Sequence, residues 1–208
     1  SLGPVAMAGI QAGDAGDVFV TANTGALSGN ASIDSVGQTG NAGNVTVRIG
    51  GQLSLSDNAT IAASTSGVGN AGTVNVQSDL LTMNGGSVAS ATTGSGNAGT
   101  VNVGVSELTL NAGEITSSTA ASGNAGDVFV TGVNGAITGP GSINSQTLPG
   151  SSGNAGRVTV IIDGQLVLDQ EAEISSAAQG SGNAGDITIT TPRLLLDNRS
   201  AITSTAAG

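Results

Sequence analysis

One tetrapeptide governs what this chain can fold into. Gly-Asn-Ala-Gly begins at Gly40, Gly69, Gly96, Gly123, Gly153 and Gly182, and a variant, Gly-Asp-Ala-Gly, begins at Gly13. Successive starts lie 27, 29, 27, 27, 30 and 29 residues apart. A period in that range marks a solenoid, in which each repeat is one supersecondary unit that buries its apolar face only against its neighbours. The spacing therefore predicts a single architecture over residues 1–208, with coils beginning at residues 13, 40, 69, 96, 123, 153 and 182.

Each tetrapeptide is followed by an apolar alternation, of which Val18-Phe19-Val20, Val45-Thr46-Val47 and Val158-Thr159-Val160 are examples. Period two with β-branched residues reads as a short strand with one buried face. A second alternation follows in most repeats, as in Leu53-Ser54-Leu55 and Leu108-Thr109-Leu110, and a third runs from Ile33-Asp34-Ser35 to Ile202-Thr203-Ser204. Three short strands per repeat, each closed by Gly, Asn, Asp or Ser, predict an all-β fold: a parallel β-helix of about seven coils. The stretch from Gln165 to Gln179 contains no glycine, yet it aligns with the strand pattern of Gln52 to Ser66 and is read as strand and turn. Val5-Ala6-Met7-Ala8 stands before Gly13 as Ile115-Thr116-Ser117-Ser118 stands before Gly123, so residues 1–12 are expected to be the last strand of a preceding coil. No amphipathic helix or charged cap is recognisable at either end, and the terminal coils are expected to expose strand edges.

Composition agrees with a thin-cored coil and narrows the chemistry. Of 208 residues 35 are Gly, aromatics make up 1% and charged residues 9%. No His, Cys, Trp, Tyr or Lys is present, so the commonest general base, the thiolate nucleophile and the Schiff-base amine are all missing. Catalysis is therefore not expected, and no cofactor is. The net charge of -10 should repel phosphate backbones and anionic membrane surfaces, which argues against nucleic-acid binding and membrane insertion.

Stacked coils turn sequence positions into columns. Asn41, Asn70, Asn97, Asn124, Asn154 and Asn183 form one, headed by Asp14. It is read as a structural ladder, with Asn accepting left-handed angles at a sharp corner and amides bonding from coil to coil, rather than as a row of glycan or cation ligands. Ser35, Ser90, Ser117, Ser145, Ser176 and Ser204 form a second, inward column with no base beside it. A longer period also appears: Asp17-Val18-Phe19-Val20-Thr21 returns at Asp127-Val128-Phe129-Val130-Thr131, four coils on. Phe19 and Phe129 fall between inward valines and should point outward, either lying over neighbouring structure or making a lateral contact that recurs along a rod. The densest polar group is Asp163, Asp169, Glu171 and Glu173 with Asp197 and Arg199. A catalytic carboxylate pair would need such a cluster, but Glu171 and Arg199 are expected to form an exposed cross-coil ion pair. Asp17, Asp127 and Asp186 share a column in coils too far apart for one metal.

Tandem Gly-Asn-Ala-Gly-x-Val-x-Val coils followed by Leu-x-Leu and Ile-x-Ser resemble the repeats of bacterial surface exoproteins of the filamentous haemagglutinin type, which are exported by two-partner secretion. The resemblance covers Val5 to Gly208 at the level of the coil template; that family's secretion domain, with its Asn-Pro-Asn motifs, is not matched. It implies a right-handed β-helical stalk outside the cell, at the bacterial surface, serving adhesion, biofilm or fibre formation. On that footing the expected partners are flanking coils, a second copy stacked end to end, or surface glycans. The alternatives are a glycan- or ice-binding module, although the outward column Phe19, Thr46, Asn75, Asn102, Phe129, Thr159, Thr188 is irregular for ice, and a polysaccharide-active enzyme.

Overall fold

A computed structural model describes residues 13–207; the strand expected in residues 1–12 lies outside them. The described chain is all β, with every strand pairing parallel to its neighbour in the next coil. It winds as a parallel β-solenoid of seven coils. The first leg of the coils comprises β1 (Val18–Ala22), β4 (Val45–Ile49), β11 (Val128–Gly132), β14 (Val158–Ile162) and β17 (Ile187–Thr190). The second comprises β2 (Gly25–Leu27), β5 (Gln52–Ser56), β12 (Asn134–Thr138), β15 (Gln165–Leu168) and β18 (Arg193–Leu196). In coils three and four the two legs fuse into single strands, β7 (Val74–Asn84) and β9 (Val101–Asn111), which join all of these into one twelve-stranded sheet. The third leg forms a separate seven-stranded sheet of β3 (Ser32–Gly37), β6 (Thr60–Thr65), β8 (Ser87–Thr92), β10 (Glu114–Thr119), β13 (Ser142–Thr147), β16 (Glu173–Ala178) and β19 (Ala201–Ala206).

The fused strands depart from the expectation of three short strands per coil. The β7 corner reads Gln77-Ser78-Asp79-Leu80, with no glycine or proline to break it, and β9 runs through the single glycine Gly104, whereas coil two turns at the pair Gly50-Gly51 and coil seven at Pro192, which has no N–H for the ladder. The segment from Gln165 to Gln179 is strand and turn, as its alignment with coil two requires.

The core is a stack of apolar layers. Val45, Val74, Val101, Val128 and Val158 lie one above another and are fully buried, as are Leu53, Leu81 and Leu166 on the second leg and Ile61, Val88, Ile115, Ile143 and Ile174 on the third. Each layer has a neighbour above and below, so the burial that stabilises one coil is created by the next.

The four-coil period has an internal cause. Val45 pairs with Val74 and Leu53 with Leu81, so coil two carries one residue more than coil three between these columns. Coil six does the same relative to coil five. At those corners the second-leg column holds a glycine in coils one and five, Gly25 and Gly135, and the following coil supplies a corner isoleucine, Ile49 or Ile162. A Cβ built on Gly25 would stand 3.1 Å from Leu53 Cδ1 and 3.3 Å from Ile49 Cδ1; on Gly135 it would stand 3.1 Å from Leu166 Cδ1 and 3.6 Å from Ile162 Cδ1. The isoleucines fill the space the glycines leave, so small and large residues alternate in register to hold interior density.

Candidate functional site

Three surface regions bring sequence-selected residues together. The first is the Gly-Asn-Ala-Gly corner between the third leg of one coil and the first leg of the next. Here the backbone N–H of Asn70 donates to Asn41 Oδ1 at 2.8 Å, and the same bond repeats from Asn97 to Asn70, Asn124 to Asn97, Asn154 to Asn124 and Asn183 to Asn154. At the head of the column Asp14 Oδ1 accepts from both the backbone N–H and the side-chain amide of Asn41. The rungs thus run from side chain to main chain, not from amide to amide. None of these asparagines is left-handed; the positive-φ residues lie elsewhere. That corrects the backbone-angle account of the column. Its glycines are required by contact between coils: a Cβ on Gly96 or Gly99 would overlap the backbone carbonyl of Gly69 or Gly72 in the coil beneath. A shorter second ladder runs beside it, with Asn44 N–H donating to Asp17 Oδ1, Thr73 N–H to Asn44 Oδ1 and Arg157 N–H to Asp127 Oδ1. From Asn41 to Asn154 the oxygens that a glycan or cation would need are already bonded to backbone donors.

The buried serines belong to the same corner. Ser117 Oγ donates to Gly99 O at 2.9 Å and accepts from Gly126 N–H at 2.8 Å, so one hydroxyl ties two consecutive tetrapeptides to the third leg. Ser35, Ser90, Ser145 and Ser176 repeat the bridge. With donor and acceptor both occupied, these hydroxyls are structural staples.

The second region is the corner between the second and third legs. It is turned by left-handed residues that change from coil to coil: Asp57 and Asn58, Gly85 and Gly86, Ala112, Gly139, Gln170 and Glu171, Asn198 and Arg199. Apart from Asp163, which stands between β14 and β15, the acidic cluster sits here because this corner stacks. Arg199 pairs with Glu171 across coils, with both side chains largely exposed. Asn198 donates to Asp169 at 2.7 Å and Thr203 to Glu173 at 3.1 Å; Asp197 receives the backbone N–H of Asn198. These carboxylates are spread over exposed turns and each has its own partner, rather than facing one another across a cleft. Among the described residues no three His, Cys, Asp or Glu side chains gather as a metal site.

The third region is the outer face of the first leg. Phe19 is 64% exposed and Phe129 is 40% exposed, both pointing outward. They differ in surroundings. Phe19 pairs in register with Thr46, and Arg48, two residues on and on the same face, places its guanidinium carbon 5.4 Å from the Phe19 ring centroid. Phe129 has Ile161 at the position equivalent to Arg48. Between them Asn102 donates its amide to Asn75 at 2.9 Å. Alongside runs an open groove of about 500 Å³, lined by residues of coils one to five, among them Asn23, Arg48, Gln77, Asp79, Gly104 and Thr131. Reading the sequence by motif missed this groove. Reading it by column finds it, because Thr21, Arg48, Gln77, Gly104 and Thr131 are successive register partners.

Comparison with protein-family models, with curated proteins and with solved structures finds no match to this chain.

Proposed function

We propose that this chain is a non-catalytic structural rod or stalk of a bacterial surface exoprotein, serving adhesion, biofilm or fibre formation outside the cell. The observation that carries the reading is the unbroken vertical bonding of the coils. The same side-chain rung recurs from Asp14 to Asn183, and a serine staple ties all but one of the coil junctions it runs beside. Side chains that could have been spent on ligands are spent on holding each coil to the next, which is what a rod under lateral load requires. The likeness of the coil template to filamentous haemagglutinin-type repeats supports the extracellular placement, and further coils, of the same chain or of a second copy, would extend the rod. Immunogold labelling of intact cells of the source organism tests it. Gold decorating the outer surface, on thin projections, is the expected result; gold confined to the cell interior would sink the proposal.

A further inference from the structure

We propose that the variable corner of coil three is a self-modification site, at which the side chain of Asn84 closes on the backbone of Gly85, sheds ammonia and becomes aspartate or isoaspartate, loosening the coil stack at that point. The inference stands apart from the rod reading, since it concerns only what the chain's own atoms do to one another in water.

Asn-Gly occurs twice in the chain, at Asn84-Gly85 and Asn134-Gly135. The pair is reactive because the backbone nitrogen of the second residue attacks the side-chain carbonyl carbon of the first, and glycine puts no Cβ in the way. At coil three the Gly85 nitrogen gives its proton to solvent hydroxide and bonds to Asn84 Cγ. The Cγ–Nδ2 bond breaks, Nδ2 takes a proton from water and leaves as ammonia, and a five-membered succinimide remains. Water then opens the ring at either carbonyl, giving aspartate or isoaspartate, whose main chain runs through Cβ.

Their surroundings separate the two pairs. Asn134 is held at both ends of its amide: Nδ2 donates to Glu107 Oε1 at 2.8 Å, and Oδ1 accepts the Gln165 N–H at 3.2 Å. Gly135 beside it is buried within β12, in register with Leu108 and Leu166. Asn84 is the last residue of β7 and exposed, and its side-chain amide makes no hydrogen bond among the described residues. Gly85 turns the corner at a φ of 75°, with the nearest atom 3.9 Å from a built Cβ. One bond restrains its nitrogen, the N–H donated to Asn111 O at 2.8 Å. Asn111, next in the same column, is followed by Ala112, whose methyl group obstructs the equivalent attack. The tetrapeptide asparagines are likewise followed by alanine.

Conversion acts on the stack because this corner joins coils. Asn84 O accepts the Asp57 N–H of coil two at 3.3 Å, and Gly85 N–H reaches coil four. Isoaspartate lengthens the main chain between these two bonds by one atom. Either product also adds a carboxylate beside Asp57, in a chain whose net charge is already -10.

Peptide mapping by mass spectrometry, on folded protein held at mildly alkaline pH and on the same protein held in urea, reads conversion as a gain of one mass unit. In the folded protein Asn84 is expected to convert about tenfold faster than Asn134, since two side-chain bonds must break at Asn134 and none at Asn84. In urea the two pairs should convert at equal rates. Gly85→Ala should slow conversion at Asn84. Glu107→Ala, which removes one restraint from Asn134, should speed conversion there and leave Asn84 unchanged. Converted protein, separated by its added charge on anion exchange, should unfold at a lower urea concentration than unconverted protein. Equal rates at the two sites in the folded protein, a difference that persists in urea, no conversion of Asn84 over the time the unfolded chain takes to react, or an unchanged urea midpoint after conversion would each overturn the proposal.

Discussion

Two of the corners in each coil solve the same problem by opposite means. At the Gly-Asn-Ala-Gly corner the backbone angles are ordinary and the difficulty lies between coils. Backbones stack so closely that no side chain fits at the glycines, and the asparagine oxygens from Asn41 to Asn154 and almost every serine hydroxyl of the column are engaged vertically. At the corner between the second and third legs the difficulty lies within the coil. One or two residues adopt left-handed angles, and Gly, Asn, Asp, Ala, Gln, Glu and Arg all serve. A constraint between repeats permits one sequence, because a change clashes with the coil beneath; a constraint within a turn permits any residue that tolerates the angle. The tetrapeptide recurs for that reason and the other corner varies.

The comparison breaks most visibly under a methyl group. Gly96→Ala places Cβ on the carbonyl of Gly69 and should cost about 3 kcal/mol or more, because only displacement of backbone can relieve it. Gly85→Ala, at a φ of 75° with the nearest atom 3.9 Å from its Cβ, should cost about 1 kcal/mol, the penalty of left-handed angles alone. Urea midpoints of the two variants check the ranking, and amide exchange shows whether the Gly96 change separates coils three and four. Equal losses would mean that contact between coils is not the stronger constraint.

A smaller effect tests the staples. Ser117→Ala leaves Gly99 O and Gly126 N–H without their shared partner and should cost about 2 kcal/mol, the usual penalty for orphaning partly buried polar groups. The inverse change is available in coil two, where the column holds the fully buried Ala63. Ala63→Ser would offer a donor to Gly43 O and an acceptor to Gly72 N–H, and should raise stability by about 1 kcal/mol. Thermal midpoints moving in opposite directions are expected. A fall in both would show that the cavity at Ala63 is too tight for an oxygen.

Much of this was legible in the sequence because a solenoid writes its contacts at a fixed offset. Counting from one tetrapeptide to the next gives the register that pairs Val45 with Val74 and Ile61 with Val88. The Glu171–Arg199 pair and the outward phenylalanines follow from the same alignment. What escaped it was whatever lies between columns or depends on depth. The fusion of legs escaped it too, since β7 has no breaker at its corner but β9 runs on through Gly104. The filling of Gly25 by Ile49 links two columns that the coil template keeps apart. The groove exists because Gly104 omits a side chain, and an omission has no motif. The role of Asn was misjudged in one respect: its preference for left-handed angles is real, but here its oxygen, reaching the backbone of the next coil, is what the position uses.

The smallest expected effect separates the backbone from the charge at the variable corner. Glu171 combines a φ of 68° with an ion pair to Arg199 whose side chains are largely in water. Glu171→Gln keeps the angle and removes the charge, and should change stability by less than about 0.5 kcal/mol because exposed pairs are screened and entropically costly. Glu171→Gly removes the charge and relieves the angle; the relief of about 1–2 kcal/mol is partly offset by the greater freedom of glycine in the unfolded chain, leaving a net gain of about 0.5–1 kcal/mol. Urea midpoints measured at low and high salt distinguish the two contributions. The small loss in Glu171→Gln should vanish at high salt, whereas the gain in Glu171→Gly should persist. If Glu171→Gly instead loses as much stability as Glu171→Gln at low salt, and both losses vanish at high salt, the ion pair, not the turn, holds this corner, and the distinction between corners fixed by contact and corners fixed by angle fails where the molecule is most polar.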